Sequence, residues 1–299
     1  MNGRKSTRAV VDGWVVLDKP VGMTSTHAVS RLKRIYNGKK AGHAGTLDPL
    51  ASGILPVAFG EATKTVPFVQ DGEKAYSFTV RWGIETDTDD ADGKPTRESE
   101  TRPTIADIEA LLPRFLGDIL QIPPQYSAIK IAGERAYDLA RDGETVELKA
   151  RPVTIHRLSL VDASEDEAKL VMECGKGAYV RSIARDLGRL IGCFGHVSAL
   201  RRTRVGPFLE EDSFTLDEIE GGEAANALLS VEAGLTELPC IVVDRDTAAR
   251  LRRGGSVILR GRDAPHEGVV YAACGGVPVA FGQVVEGALE PSRVFNLPF

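Results

Sequence analysis

The chain of 299 residues has little sulfur and few aromatic side chains: four cysteines, three methionines and two tryptophans, with aromatics at 6%. Cys174, Cys193, Cys240 and Cys274 lie far apart with no C-x-x-C pair. Neither a thiolate metal site nor a disulfide framework is expected, and buried free thiols of a reducing cytoplasm are the default. Long apolar runs are also missing. None approaches the roughly 20 residues that span a bilayer, and Met1-Asn2-Gly3-Arg4-Lys5 lacks the apolar segment of a signal peptide. Nucleotide-loop signatures are absent too: Gly175-Lys176-Gly177 completes neither G-x-x-x-x-G-K-[ST] nor G-x-G-x-x-G. The acidic string Thr86 to Gly93 does not make a calcium loop, because counting from Asp87 puts Ala91 at position five and Asp92 at position six. A solvated acidic turn without metal is expected there.

What is present is an ordinary globular composition, 42% hydrophobic and 26% charged, enough for one large domain or two. The net charge of −5 argues against a general nucleic-acid coat. Its distribution is uneven. From Lys19 to Leu47 there are six cations (Lys19, Arg31, Lys33, Arg34, Lys39, Lys40), two histidines and no acid. From Lys176 to Phe208 there are seven cations against Asp186 alone, whereas Glu85 to Glu100 holds seven acids and two cations. Two concentrated basic stretches in an acidic protein suit selective capture of a polyanion, although each could equally be a solvated face.

Periodicity places the elements coarsely. Trp14 to Leu17 suggests a buried strand, followed by a helix capped by Thr24 or Ser25, with Val29, Leu32 and Ile35 at helical spacing. Ile54 to Ala58 is apolar enough for a core strand, but Pro56 demotes it towards an edge or bulge. Lys74 to Trp82 alternates with period two and puts Tyr76, Phe78, Val80 and Trp82 on one face. Thr104 opens a helix whose buried side carries Ile105, Ile108, Leu111, Leu112 and Phe115. Strands are expected at Arg151–Leu158 and Ala168–Cys174, then a helix with a stripe of Val180, Ile183, Leu187, Leu190 and Ile191 that ends at Gly192. After a helix-rich stretch from Glu218 to Leu235, short strands with glycine-rich turns (Val257–Leu259, Val269–Tyr271, Val277–Val285) suggest a small β-barrel beginning near Pro239.

The segment Gly42-His43-Ala44-Gly45-Thr46-Leu47-Asp48-Pro49-Leu50-Ala51-Ser52-Gly53 organises the rest. Three glycines argue against a simple helix or strand, and the residue before proline is pushed into extended backbone. Asp-Pro is also an ordinary helix start, with N-cap and N1 filled. A lone carboxylate after a run of cations, however, is where an anionic polymer could meet a reactive oxygen.

This segment, with Leu17-Asp18-Lys19-Pro20-Val21-Gly22-Met23-Thr24-Ser25 before it, closely resembles the TruB family of tRNA pseudouridine synthases. So do the segments P-P-x-Y-S-A-x-K (Pro123 to Lys130), R-A-Y-x-L-A-R (Arg135 to Arg141), Gly177-Ala178-Tyr179-Val180-Arg181-Ser182-Ile183 (valine standing for the usual isoleucine) and L-x-R-T-x-x-G from Leu200. The resemblance implies an α+β fold: a catalytic core with a mixed, largely antiparallel sheet flanked by helices, over residues 10–238, and a PUA-like RNA-binding β-barrel over 239–299. It implies isomerisation of uridine to pseudouridine at position 55 in the T loop of tRNA, by a base-flipping enzyme. Asp48 would be the catalytic carboxylate, as nucleophile or as base, with Arg181 paired to it. Tyr76 would stack on the target base, and His43, Tyr179 and Leu200 would help retain it. Lys19, Arg31, Lys39, Lys40, Lys130, Arg201 and Arg202 are candidates for phosphate contact. No cofactor or metal, no membrane and no obligate protein partner are expected, and a cytoplasmic monomer is. The rival classes are a non-catalytic RNA-folding factor and a hydrolase forming an aspartyl intermediate on Asp48; the latter lacks a magnesium-ligand cluster near the loop.

Overall fold

The computed structural model describes residues 10–127, 130–131, 134–135, 148–259 and 265–298, without the side chains of 130, 131, 134 and 135. In chain order, β1 (Gly13–Lys19), α1 (Ser25–Ile35), β2 (Ala41–His43), β3 (Ser52–Phe59), α2 (Val66–Asp71) and β4 (Lys74–Trp82) form the first half of the core. Then follow β5 (Ile84–Thr86), β6 (Pro95–Glu98), α3 (Ile105–Leu111), β7 (Gly117–Gln121) and the short pair β8 (Lys130–Ile131) and β9 (Glu134–Arg135). The long hairpin β10 (Arg151–Ala163) and β11 (Glu167–Cys174) leads to α4 (Val180–Ile191), β12 (Gly195–Val205), β13 (Phe208–Leu209) and β14 (Leu228–Leu229). The last unit holds β15 (Cys240–Val242), α5 (Arg245–Arg252), β16 (Val257–Ile258), β17 (Gly268–Cys274), β18 (Val277–Val285) and β19 (Ala288–Val294).

One ten-stranded sheet runs β14-β1-β3-β12-β4-β11-β10-β7, with β2 on β3 and β13 on β12. Every pairing in it is antiparallel except β3 with β12. The expected α+β class with a mixed, largely antiparallel sheet is therefore the observed one. Strand β1 reads as an unbroken apolar run because both its faces are buried. Val15 and Leu17 join the core that also holds Leu55, Val57, Phe78, Val80, Ile183 and Leu187. Trp14 and Val16 face the other way, into a second core with Ile54, Ala58, Val69 and Phe208.

That second core also contains Tyr271 and Phe281 from the five-stranded C-terminal sheet, ordered β15-β17-β18-β19-β16, and Phe295 just after β19. Phe68 of α2 meets Phe281 edge-on with ring centroids 4.8 Å apart, and the Tyr271 hydroxyl donates to Glu232 Oε1 at 2.7 Å. The C-terminal unit has its own smaller core, in which Leu251 of α5 packs with Val270, Val279 and Leu289.

Several expectations need correction. Pro56 lies inside the sheet, opposite Val16. Its other side falls in a seam between Gly53, which pairs with β12, and Val57, which pairs with β2, so the missing N–H interrupts no ladder. The ends of the Gly42–Gly53 segment are strands, not loop. Ile105 is exposed, and the helical turn at Leu112–Phe115 is 3-10. The stretch Glu218 to Leu235 is a series of short turns around Gly222, whose φ of 128° breaks any continuous helix. Arg135 ends the short strand β9, and the rest of the R-A-Y-x-L-A-R segment lies outside the described residues.

Candidate active site

Asp48 sits at the tip of a braced loop. Gly45 and Gly53, at φ of 105° and 95°, supply the left-handed turns on either side of it. The entry into α1 acts as the brace. Ser25 Oγ both donates to the Leu47 carbonyl and accepts from its N–H, each at 2.9 Å, while the Gly22 N–H donates to the Pro49 carbonyl at 2.7 Å. Lys19 Nζ is turned inward and donates to the carbonyls of Pro20 and Met23. The helix-start alternative for Asp48-Pro49 is not what forms. Ala51 N–H returns to the Asp48 carbonyl at 3.1 Å in a turn, and β3 follows directly.

Arg181, in the first turn of α4, meets the carboxylate: its Nη2 is 3.0 Å from Asp48 Oδ2. The guanidinium is buried, and the Asp48 side chain keeps 38% of its exposure, open to the cavity. Arg181 is itself held from the other side, by Asp90 Oδ2 at 3.4 Å and the carbonyls of Thr88 and Tyr126. Spacing along the helix extends this arrangement. Arg181, Arg185 and Arg189 are one turn apart on one stripe, and each meets an acid from the segment after β4. Arg185 Nη1 lies 2.9 Å from Asp89 Oδ2 with both side chains 7% exposed, and Arg189 grips both oxygens of Glu85 at 2.6 and 2.9 Å. The acidic string is thus no solvated turn. Ala91 N–H and Val197 N–H pair it to β12, and Glu85, Asp89 and Asp90 are buried as counter-ions of α4. Burial pushes the Asp89 carboxyl up to about 6, against the pull of Arg185, and raises Asp90 as well.

Above the carboxylate is an open cavity of about 430 Å³, lined by Thr46, Asp48, Lys74, Tyr76, Tyr179, Arg181, Leu200 and Arg202 among others. Tyr76 and Leu200 come from adjacent strands β4 and β12, and Tyr179 from the residue before α4. The Gln121 side-chain amide fixes Tyr179 by accepting from its N–H at 2.8 Å and donating to its carbonyl at 3.1 Å. Burial raises the Tyr179 phenol and pushes Tyr76 up to about 12, so both are neutral hydrogen-bonding aromatics at physiological pH. Two neutral rings, a leucine and one carboxylate make a slot for a flat, partly apolar group beside a sugar-like carbon.

The structure thus brings Asp48, Tyr76, Tyr179, Arg181 and Leu200 together. His43, on β2, is not part of that cavity lining; burial and the nearby Arg202 hold its imidazole below the ordinary pKa. The candidate phosphate contacts divide. Lys39 and Lys40 are exposed. Arg31 pairs with Glu220, and Arg201 with Asp18 and Glu210. Lys19 is 0% exposed and Arg202 2%, its guanidinium donating to three carbonyls, so neither can reach a phosphate. The Lys130 side chain lies outside the described residues. The basic run from Lys176 to Arg204 is mostly ion-paired with acids that lie far off in sequence, which removes it as a continuous cationic face. Sequence reading missed Asp89, Asp90, Arg185 and Gln121. Only the i, i+4, i+8 arginines against a distant acid cluster signalled three of them.

A family model described as TruB family pseudouridylate synthase (N terminal domain) matches residues 33–180, and one described as tRNA pseudouridylate synthase B C-terminal domain matches residues 181–236. The chain belongs to the TruB family. A curated relative named tRNA pseudouridine synthase B from Bradyrhizobium diazoefficiens is 60% identical, covering 99% of this chain and 89% of that one. Its namesake from Rhizobium meliloti is 53% identical over 98% of each. Membership implies isomerisation of uridine to pseudouridine in tRNA. Among solved structures, a chain of a Cbf5-Nop10-Gar1 complex is 26% identical with a TM-score of 0.73, covering 97% of this chain and 86% of that one. A chain of an H/ACA RNP bound to a substrate RNA containing 2′-deoxyuridine, 23% identical with a TM-score of 0.75, shares the fold. With that likeness the five-stranded C-terminal sheet fits a small PUA-like β-barrel.

Proposed function

We propose that this TruB-family chain converts uridine to pseudouridine at position 55, in the T loop of tRNA, with Asp48 as the catalytic carboxylate. The observation that carries the reading is the Asp48–Arg181 pair at 3.0 Å beneath a cavity walled by Tyr76, Tyr179 and Leu200. The reaction breaks C1′–N1 with the electron pair leaving on N1, turns the uracil and joins C5 to C1′; C5 loses a proton and N1 gains one. An everted nucleotide puts its sugar at the Asp48 carboxylate and its base between the rings, which replace the stacking lost on leaving the loop. Arg181 grips the Asp48 carboxylate and aims its oxygens, as both nucleophilic and basic roles at the sugar require. His43 acts at the rim, holding the nucleotide that has left the loop. Residues 10–238 carry the chemistry, and 239–299 add RNA-binding surface. The enzyme acts in the cytoplasm as a monomer and calls on no cofactor, since the isomerisation has no net redox change and no hydrolysis.

The test is to incubate the protein with an unmodified tRNA transcript and map pseudouridine at nucleotide resolution. Modification confined to position 55, retained in an isolated T-arm hairpin, is the expected result. Unmodified RNA, or pseudouridine only elsewhere, overturns the reading.

A further inference from the structure

Arg202 is buried, and its guanidinium donates hydrogen bonds to three backbone carbonyls. Nε donates to the Ile54 carbonyl at 2.9 Å, Nη1 to the Thr46 carbonyl at 3.2 Å and Nη2 to the Gly45 carbonyl at 3.1 Å. Among the described residues no carboxylate is ion-paired with it. A guanidinium held in the interior without a counter-ion is expensive, and an apolar side chain of similar size would fill the same space more cheaply. Its placement shows what this charge can accomplish. The three carbonyls flank Asp48, two lying just before it and one six residues after, so a single planar group closes both ends of the loop that presents the carboxylate. Arg202 also stands opposite Tyr76 on β4 and opposite Gly53 on β3. Arg202 and Tyr76 also line the same cavity. A Cβ on Gly53 would come within 2.2 Å of the Arg202 carbonyl oxygen, so the two strands can meet this closely only with glycine there.

Taking the proposed pseudouridine chemistry as given, we infer that Arg202 is a positioning residue: it ties both ends of the Asp48 loop to one rigid fork carried on the strand that pairs with that of Tyr76, setting the distance between the two walls of the uridine site. Its five N–H donors in a fixed plane suit this task, where the flexible single ammonium of lysine would not. The alternative, a phosphate contact, conflicts with its burial and with the three carbonyls that occupy it.

The inference is tested by steady-state kinetics on a T-arm hairpin with Arg202→Lys, Tyr76→Phe and the double variant, together with thermal melting of each. Arg202→Lys keeps the charge and loses the fork. It is expected to lower kcat by about a hundredfold with KM within about threefold, the signature of a lost transition-state arrangement. In the Tyr76→Phe background the same change is expected to lower kcat by at least tenfold less, because the two residues are cross-strand partners lining one cavity. Strictly multiplicative losses would overturn the inference, as would a higher KM and a shallower salt dependence with kcat unchanged, which mark a phosphate contact. Should Arg202→Lys not fold, Arg202→Gln is assayed in its place with the same expectations, and failure of both to fold overturns the inference in favour of a purely structural role. An inactive wild type would instead overturn the functional reading on which the inference rests.

Discussion

Replacing Arg185 by methionine isolates the ladder that fixes Arg181. The Arg185–Asp89 pair is 2.9 Å long with both partners 7% exposed, so the substitution strands a carboxylate in the interior. An orphaned buried charge costs about 3–5 kcal/mol. Asp89 has an escape, because burial has already pushed it up to about 6, and losing its guanidinium drives it higher still. A carboxyl whose folded pKa exceeds its unfolded value favours the folded state at low pH, and that contribution is lost as pH rises through the folded pKa. The deficit of Arg185→Met should therefore be largest above pH 7.5, at about 3 kcal/mol, and should shrink to about 1 kcal/mol near pH 5.5, where the carboxyl takes up a proton. At this chain length the larger figure corresponds to a fall in Tm of about 6–12 °C. Denaturant titrations of wild type, Arg185→Met and Arg185→Met/Asp89→Asn at both pH values provide the assay, with the double variant expected to regain most of the loss at pH 7.5. Equal losses at the two pH values, or a double variant no better than the single, would refute the reasoning.

Other consequences follow from the same geometry. Gly53→Ala combines a φ of 95° with a Cβ 2.2 Å from the Arg202 carbonyl oxygen, so we expect a stability loss of about 2–4 kcal/mol by denaturant titration and little remaining activity. Lys39→Ala/Lys40→Ala removes two exposed cations and should weaken tRNA binding while lowering the slope of log K against log salt by up to about two; an unchanged slope would take these residues off the RNA surface. Burial pulls Lys19 down to about 8, so the folded chain loses this proton before the unfolded chain does. Relative to Lys19→Met, the wild type should gain stability as pH rises from 8 towards 10.5, by at most about 3 kcal/mol, and a flat difference would show that the buried ammonium is not desolvated.

The parts legible in the sequence are those written in local pattern. The alternation through Lys74–Trp82 marked β4, the stripe from Val180 to Ile191 marked α4, and Gly192 ended that helix with a left-handed residue as expected. Charge was legible only in composition. The arginines of α4 and the acids after β4 looked like two separate faces, because a linear reading cannot show that Val197 of β12 bonds to Asp89 and holds the acids where Arg185 and Arg189 reach them. Lys19 and Arg202 misled for a related reason. Both look like surface cations, and only the close packing of the Asp48 loop reveals that carbonyls capture them. Pro56 misled in the opposite sense, since a proline in the sheet interior is tolerated where two neighbouring strands leave a seam. Family resemblance supplied the roles of Asp48, Tyr76, Tyr179 and Leu200; the structure shows them on four different elements lining one cavity.

The central claim is that the Asp48 carboxylate performs the chemistry while the surrounding groups bind and aim. Its most direct test is Asp48→Ala, assayed on a T-arm hairpin for pseudouridine and separately for RNA affinity. The account predicts no detectable pseudouridine, with affinity within about tenfold of wild type, or ~1.4 kcal/mol. Pseudouridine formation at the wild-type rate in that variant would contradict it.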